Sequence, residues 1–202
     1  LVMADGKPVK ACMTPVTPRM RVNPIDGLPI LPVLPAPPER RGIETVETEV
    51  LILGGGPAGM SATVELGEQG IAALLVDDKA RLGGKLVLQT HRFFGSAEAV
   101  YAGTRGVEIA EMLAGDVGAC ATVRTWLNST ALAVFSDRKV GVLQRDPETG
   151  AERYVLVRPE VLIVATGARE RSLVFAGNTL PGVYGAGAFQ TLVNRDRVRA
   201  AE

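Results

Sequence analysis

Cysteine is scarce in this chain: Cys12 and Cys120 are the only two in 202 residues. They form neither a disulfide framework nor a C-x-x-C or C-x-x-x-x-C redox pair, so a stapled secreted scaffold and dithiol chemistry within this segment are both excluded. Histidine is scarcer still, with His91 alone. An excess of one charge is missing too. The 22 basic and 22 acidic residues leave a formal net charge of +0, which offers no electrostatic footing for nucleic acid or an anionic membrane surface. Apolar runs such as Val161 to Ala165 fall far short of the roughly 20 residues that a membrane-spanning helix needs. Leu1 to Lys10 lacks the charged-then-apolar pattern of a signal peptide, so the expected compartment is the cytoplasm. Leu1 stands where an initiator methionine is expected, which points to an interior fragment.

What is present is a hydrophobic content of 47%, enough for one good core, so one domain with extensions is expected. Proline is unevenly spread. Nine of the 13 prolines precede residue 39, and from Pro24 to Pro38 they alternate with aliphatics. Each fixes φ and removes a donor, so residues 24–47 are expected to run as a stiff extended linker.

The most informative stretch is Val50 to Gly59, an apolar strand running into a G-x-G-x-x-G turn at Gly54, Gly56 and Gly59. In such a turn the first glycine permits the tight bend, the second lets backbone approach a pyrophosphate, and the third lets the next helix pack closely on the strand. Gly55, Pro57 and Ala58 complete the loop. Pro57 suits the first helical turn because its missing N–H has no helical partner there, and phosphate rests on the helix N-terminus. A helix over 58–69, a strand over 71–76 and an acid at Asp77 follow in the order of a dinucleotide site. The Asp77 carboxylate is expected to accept ribose hydroxyls and to repel the 2′-phosphate of NADP, leaving FAD or NAD.

Further on, the helix expected over 107–114 is followed by short strands over 130–135, 140–144 and 154–157, separated by polar turns that make a β-meander. A separate parallel strand is expected at Val161. The arginine-rich end, Val193 to Arg199, reads as a solvated surface segment.

Four motifs in order carry a family resemblance. The glycine turn is joined by Asp77-Asp78-Lys79-Ala80-Arg81-Leu82-Gly83-Gly84-Lys85, by Ala165-Thr166-Gly167 at the end of an apolar strand, and by Pro181-Gly182-Val183. Together they resemble the FAD-dependent, pyridine-nucleotide-disulfide-oxidoreductase-like flavoproteins with two dinucleotide-binding domains. Residues 6–22, with Cys12 before Pro15-Val16 and a short closing strand at Arg19-Met20-Arg21-Val22, are similar to the end of a 2Fe-2S ferredoxin-like domain. That combination occurs in flavoproteins of the sarcosine oxidase alpha, cyanide synthase and opine oxidase subunit type.

The resemblance implies an α/β fold: a Rossmann-like FAD-binding domain, with a parallel sheet and a meander, in a truncated two-domain flavoprotein. Residues 1–23 would end the 2Fe-2S domain, 24–47 would form the linker, 48–180 the FAD domain, and 181–202 the start of the connection to an NAD(P) domain. FAD would contact Gly54, Gly55, Gly56, Pro57, Ala58, Gly59, Asp77, Asp78, Gly83, Gly84, Lys85, Ala165, Thr166 and Gly167, with Thr130 and Ala131 near the adenine. Lys85 or Arg92 would stabilise the reduced flavin, and His91 would relay protons. Cys12 would be one ligand of a 2Fe-2S centre that needs four, the others lying upstream. In the full-length protein NAD(P) and 2Fe-2S would join FAD, with a small-molecule substrate or NAD(P)H and partner subunits as partners. A second glycine-rich turn and a terminal Gly-Asp motif are missing from these 202 residues, and Gly185-Ala186-Gly187 has no aspartate to stand in for the latter. Two activities remain open, a catalytic FAD-dependent oxidoreductase and a flavin-binding electron-transfer or scaffold subunit; an NAD-only enzyme is the third reading.

Overall fold

The computed structural model describes residues 1–28 and 42–200; most of the proline-rich segment, residues 29–41, lies outside the described residues. The chain divides into two units, Leu1–Gly42 and Ile43–Glu202.

The first unit is a three-stranded antiparallel sheet of β1 (Val2–Ala4), β2 (Lys7–Val9) and β3 (Val22–Pro24), in the order β2-β1-β3. Asp5 and Gly6 both take positive φ between Ala4 and Lys7, the two-residue Asp-Gly turn that matches the twist of a hairpin. The closing strand is Val22–Pro24, displaced toward the C-terminus from the expected 19–22. Arg21 is held just before it by mutual bonds, its N–H donating to the Asp5 carboxylate at 2.9 Å and its C=O accepting the Asp5 N–H. Cys12 sits in a short 3₁₀ turn, Ala11–Met13, with its thiol free and exposed.

The second unit is built on β4 (Glu44–Leu53), α1 (Pro57–Glu68), β5 (Ala73–Val76), α2 (Ala97–Val100), α3 (Gly106–Ala119), β6 (Val123–Trp126), β7 (Ser129–Val134), β8 (Val140–Arg145), β9 (Glu152–Val164) and α4 (Ala186–Gln190). A 3₁₀ turn spans Gly84–Leu88, and a π-helical turn, Thr191–Arg195, continues α4. One six-stranded sheet runs β6-β5-β4-β9-β8-β7. The β6-β5-β4-β9 half is parallel and the β9-β8-β7 half antiparallel.

Successive strand residues point to opposite faces, and both faces are covered over Val50–Leu53 of β4 and Ala73–Val76 of β5. Val50, Ile52, Ala73 and Leu75 pack with Met60 of α1 and Ile109, Ala110, Leu113 and Val117 of α3. On the other face Leu51, Leu53, Leu74 and Val76 meet Val140, Val142, Val155 and Val157 of the meander.

The expected α/β fold with a parallel sheet and a meander is present. One element differs: residues 154–157 and the strand at Val161 are a single strand, β9. Residues 152–157 pair antiparallel with β8 as far as Val140↔Val157, and residues 155–164 pair parallel with β4, from Glu44↔Val155 through Thr48↔Pro159 to Leu53↔Val164. Pro159 is tolerated because the antiparallel partner has ended, so one side of the strand there has no ladder to interrupt. Strand structure also enters both ends of the expected 24–47 linker, since β3 includes Pro24 and β4 begins at Glu44.

Candidate dinucleotide-binding site

The site lies at the C-terminal ends of β4, β5 and β9, where the strand order of an open α/β sheet places ligands. Leu53 hands the chain to the glycine loop, and three glycines there do different work. Gly54 has φ +107°, and a Cβ on it would stand 2.4 Å from the Ala165 carbonyl oxygen. On Gly59 a Cβ would stand 1.8 Å from the Gly54 carbonyl oxygen, so this glycine lets α1 sit against the loop. Gly56 is the N-cap of α1, with extended backbone and only the Gly84 Cα within 4 Å of its missing Cβ, at 3.9 Å.

Pro57 is the first residue of α1, and no side chain caps the helix. The first helical bond runs from the Met60 N–H to the Gly56 carbonyl, which leaves the Ala58 and Gly59 N–H groups without intrahelical partners beside the open space at Gly56. An anion fits that cradle: it meets unpaired donors and the positive end of the helix dipole, and no side chain intrudes.

Asp77, at the end of β5, closes the loop from the other side. Its Oδ2 accepts the Gly55 N–H at 2.6 Å and its Oδ1 accepts the Lys79 N–H at 2.8 Å. Gly83 donates its N–H to the Gly55 carbonyl at 2.8 Å, and a Cβ on Gly84 would stand 2.7 Å from the Gly56 Cα. The paired glycines therefore pack directly on the glycine loop. Ala165 donates its N–H to the Leu53 carbonyl at 2.8 Å, bringing Thr166 and Gly167 to the same end of the sheet. Gly167 has φ +70°, a conformation only glycine adopts readily. Asn128 and Ser129 donate backbone N–H groups to the Lys79 and Asp77 carbonyls, so the start of β7, with Thr130 and Ala131, abuts the segment holding Asp77 and Asp78. Asp78 is exposed and ion-paired with Lys79.

The residues expected to do chemistry are less concentrated. Lys85 is exposed and forms no ion pair among the described residues. His91 stacks on Phe93 with ring centroids 5.3 Å apart. Arg92 donates a guanidinium N–H to the Gly103 carbonyl, so its charge is tied to a loop. At the start of α3 Arg105 grips Glu108. The Arg105 side-chain hydrogen bonds foremost, then its backbone N–H, hold the Glu108 carboxyl below the usual carboxylate range.

Three features have no signal in the sequence. Glu170 accepts the Gly187 and Ala188 N–H groups at 3.1 to 3.2 Å, pinning α4 to the segment after Gly167. Asn194 donates its amide N–H to the Leu88 carbonyl at 2.7 Å. The side-chain oxygen of Gln89 is buried and has no partner among the described residues. A cavity of about 800 Å³ lined by Glu47, Arg138 and Arg158 lies at the opposite end of the parallel strands, away from the cradle. Among the described residues no three His, Cys, Asp or Glu side chains form a metal-binding group. Cys12 alone does not complete the four-thiolate donor set of a 2Fe-2S centre. No helix among the described residues is long and apolar enough to cross a membrane.

A family model described as pyridine nucleotide-disulphide oxidoreductase matches residues 48–202, and the chain belongs to this family of FAD-dependent oxidoreductases. Hydrogen cyanide synthase subunit HcnB of Pseudomonas aeruginosa is 35% identical over 150 residues, covering 74% of this chain and 31% of that protein. Sarcosine oxidase subunit alpha of Corynebacterium sp. (strain P-1) is 32% identical over 200 residues, covering 94% of this chain and 20% of that protein. The chain spans less than a third of the length of the curated relatives it matches. Among solved structures, L-proline dehydrogenase from P. horikoshii superposes with a TM-score of 0.66 at 23% identity, covering 98% of this chain and 37% of that one, a shared fold.

Proposed function

We propose that this chain is the FAD-holding part of a larger oxidoreductase, which passes electrons between a small-molecule substrate or NAD(P)H and FAD and, with partner subunits, onward to an iron–sulfur centre. The observation that carries the reading is the cradle at Gly56: an uncapped helix N-terminus with room for a pyrophosphate, closed on one side by Gly84 and on the other by Asp77. Subunit partnership is supported by relatives that are themselves named as subunits.

When bound, FAD supplies a two-electron acceptor that also exchanges single electrons, which suits it to link hydride donors with one-electron carriers. The chain's own part is to bind, orient and tune. The Ala58 and Gly59 N–H groups hold the pyrophosphate. Asp77 keeps lone pairs free for ribose hydroxyls beyond the two backbone N–H groups it already accepts, and its charge disfavours a 2′-phosphate. Gly83 and Gly84 allow close approach beside the cradle, Thr166 and Gly167 border it from β9, and Thr130 and Ala131 flank the adenine end. Lys85, exposed and with no ion pair among the described residues, would offer a cation to negative charge near the ring. His91, stacked on Phe93, would be the proton relay.

The test is the visible absorption spectrum of the natively purified chain, with mass identification of any cofactor released on heating. A flavin spectrum with FAD released is the expected result. NAD released without flavin would replace this reading with an NAD-only enzyme, and the absence of any dinucleotide from both this chain and its longer parent would overturn it.

A further inference from the structure

α4 begins without a capping side chain of its own at its N-cap, Gly185. The Gly187 and Ala188 N–H groups of its first turn donate instead to the carboxylate of Glu170, 17 and 18 residues earlier, at 3.1 to 3.2 Å. The contact favours both partners, since helix donors that have no acceptor in the helix meet a negative charge at the positive end of the dipole. Gly185 has φ −71° and ψ 156°, backbone that any residue adopts. What glycine supplies there is room: a Cβ on Gly185 would stand 2.5 Å from the Glu170 carboxylate.

At its other end α4 runs into the π-helical turn, where Asn194 donates its side-chain N–H to the Leu88 carbonyl at 2.7 Å. The two anchors, seven residues apart, are separated by about 10 Å of helix at ~1.5 Å of rise per residue. Each anchor grips a segment that also walls the cradle. Glu170 follows Ala165 and Thr166, whose backbone crowds Gly54: a Cβ on that glycine would stand 2.4 Å from the Ala165 oxygen and 3.1 Å from the Thr166 Cα. Leu88 ends the 3₁₀ turn whose first residue, Gly84, packs on Gly56. One short helical segment therefore ties the wall beside Gly54 to the wall beside Gly56.

We propose that residues 186–195 form a strap latched by Glu170, and that the latched strap and the occupied cradle stabilise each other. The inference rests on the FAD reading above. A pyrophosphate in the cradle requires both walls in place, and the latched strap holds them in register; with the latch open, binding must also order them. Such coupling is reciprocal, so whatever the latch adds to FAD affinity, FAD returns as protection of the latch. Glu170 and Gly185 are positioning residues, acting through the walls.

The experiment follows amide hydrogen exchange over residues 186–195 with and without FAD, beside FAD titrations, in the parent chain, Glu170→Ala, Glu170→Gln, Gly185→Ala and the double variant of the two alanine changes. FAD should slow exchange of the strap in the parent about tenfold, and Glu170→Ala and Gly185→Ala should each lose that slowing and bind FAD about tenfold more weakly. Glu170→Gln, which keeps one acceptor oxygen, should fall between. Both alanine changes break one contact, so the double variant should bind FAD no more weakly than Glu170→Ala alone. The β4 and β5 amides should stay equally protected throughout; their loss of protection in the alanine variants would make the contact part of the core and overturn the latch. FAD bound to the parent without slower exchange over 186–195, or equal FAD affinity in all the proteins, overturns the strap and leaves the FAD site standing. Failure of the parent to bind FAD overturns the FAD reading and this inference with it.

Discussion

The Asp77 carboxylate accepts the Gly55 N–H at 2.6 Å across a separation of 22 residues, locking the end of β5 to the middle of the glycine loop. Asp77 therefore shapes the loop as well as facing the ligand. Asp77→Ala leaves the Gly55 and Lys79 N–H groups without their acceptor, and the expected loss is about 1.5–3 kcal/mol, the range for hydrogen bonds to a charged group. Asp77→Asn, which keeps one acceptor oxygen, should lose about half as much. Urea unfolding of the three proteins checks the order; equal stability of Asp77→Ala and the parent would mean that the loop does not depend on this bond.

The two outer glycines of the motif and the middle one should separate cleanly by experiment. Gly59→Ala drives a methyl group to 1.8 Å from the Gly54 carbonyl oxygen, which forces α1 off the loop and should cost about 3 kcal/mol or more. The Cβ added by Gly56→Val meets no protein atom closer than the Gly84 Cα, at 3.9 Å. The substitution should change stability by about 1 kcal/mol, as a poorer N-cap residue, while abolishing dinucleotide binding. Thermal melts paired with FAD titration make the comparison, and retained binding in Gly56→Val would move the site elsewhere.

Glu108 sets a pH dependence at the start of α3. Its folded pKa lies below the ordinary glutamate value, chiefly because of its hydrogen bonds from the Arg105 side chain. A depressed carboxyl contributes stability that is present above the unfolded pKa and lost as pH falls through the folded one. The stability difference between the parent and Glu108→Gln should therefore be flat above about pH 5 and shrink as pH falls below 4.5. A difference that grew on acidification would have the wrong sign for this contact.

Burial predicts a sharp contrast between two large apolar residues. Leu75, on β5, is 0% exposed and Phe94 is 91% exposed. Leu75→Ala should cost about 2–5 kcal/mol, whereas Phe94→Ala should stay within about 0.5 kcal/mol. Denaturant midpoints at constant slope would show it.

Much of the site was readable along the chain because its constraints are local. Gly54 and Gly167 need backbone conformations that few other residues take up, and an apolar run before a glycine turn marks a buried parallel strand from sequence alone. The break expected between 154–157 and Val161 has an equally local cause. Arg158-Pro159-Glu160 looks like a strand terminator, and only the pairing with β4 through Thr48↔Pro159 reveals that the chain runs straight on.

By itself, then, the sequence determined the order of strand, glycine turn, helix and acid, and with it the α/β class and the dinucleotide chemistry, because these follow from backbone conformation and side-chain period over a few residues. The tertiary structure alone decided that Asp77 is bonded to Gly55, that Glu170 holds the start of α4, that Asn194 reaches Leu88, and that the Gln89 oxygen is left without a donor among the described residues. Each of these joins or fails to join groups far apart in the chain. Hydrogen-bond satisfaction depends on which atoms folding brings within 3 Å or so of one another, and no local pattern of residues encodes that distance.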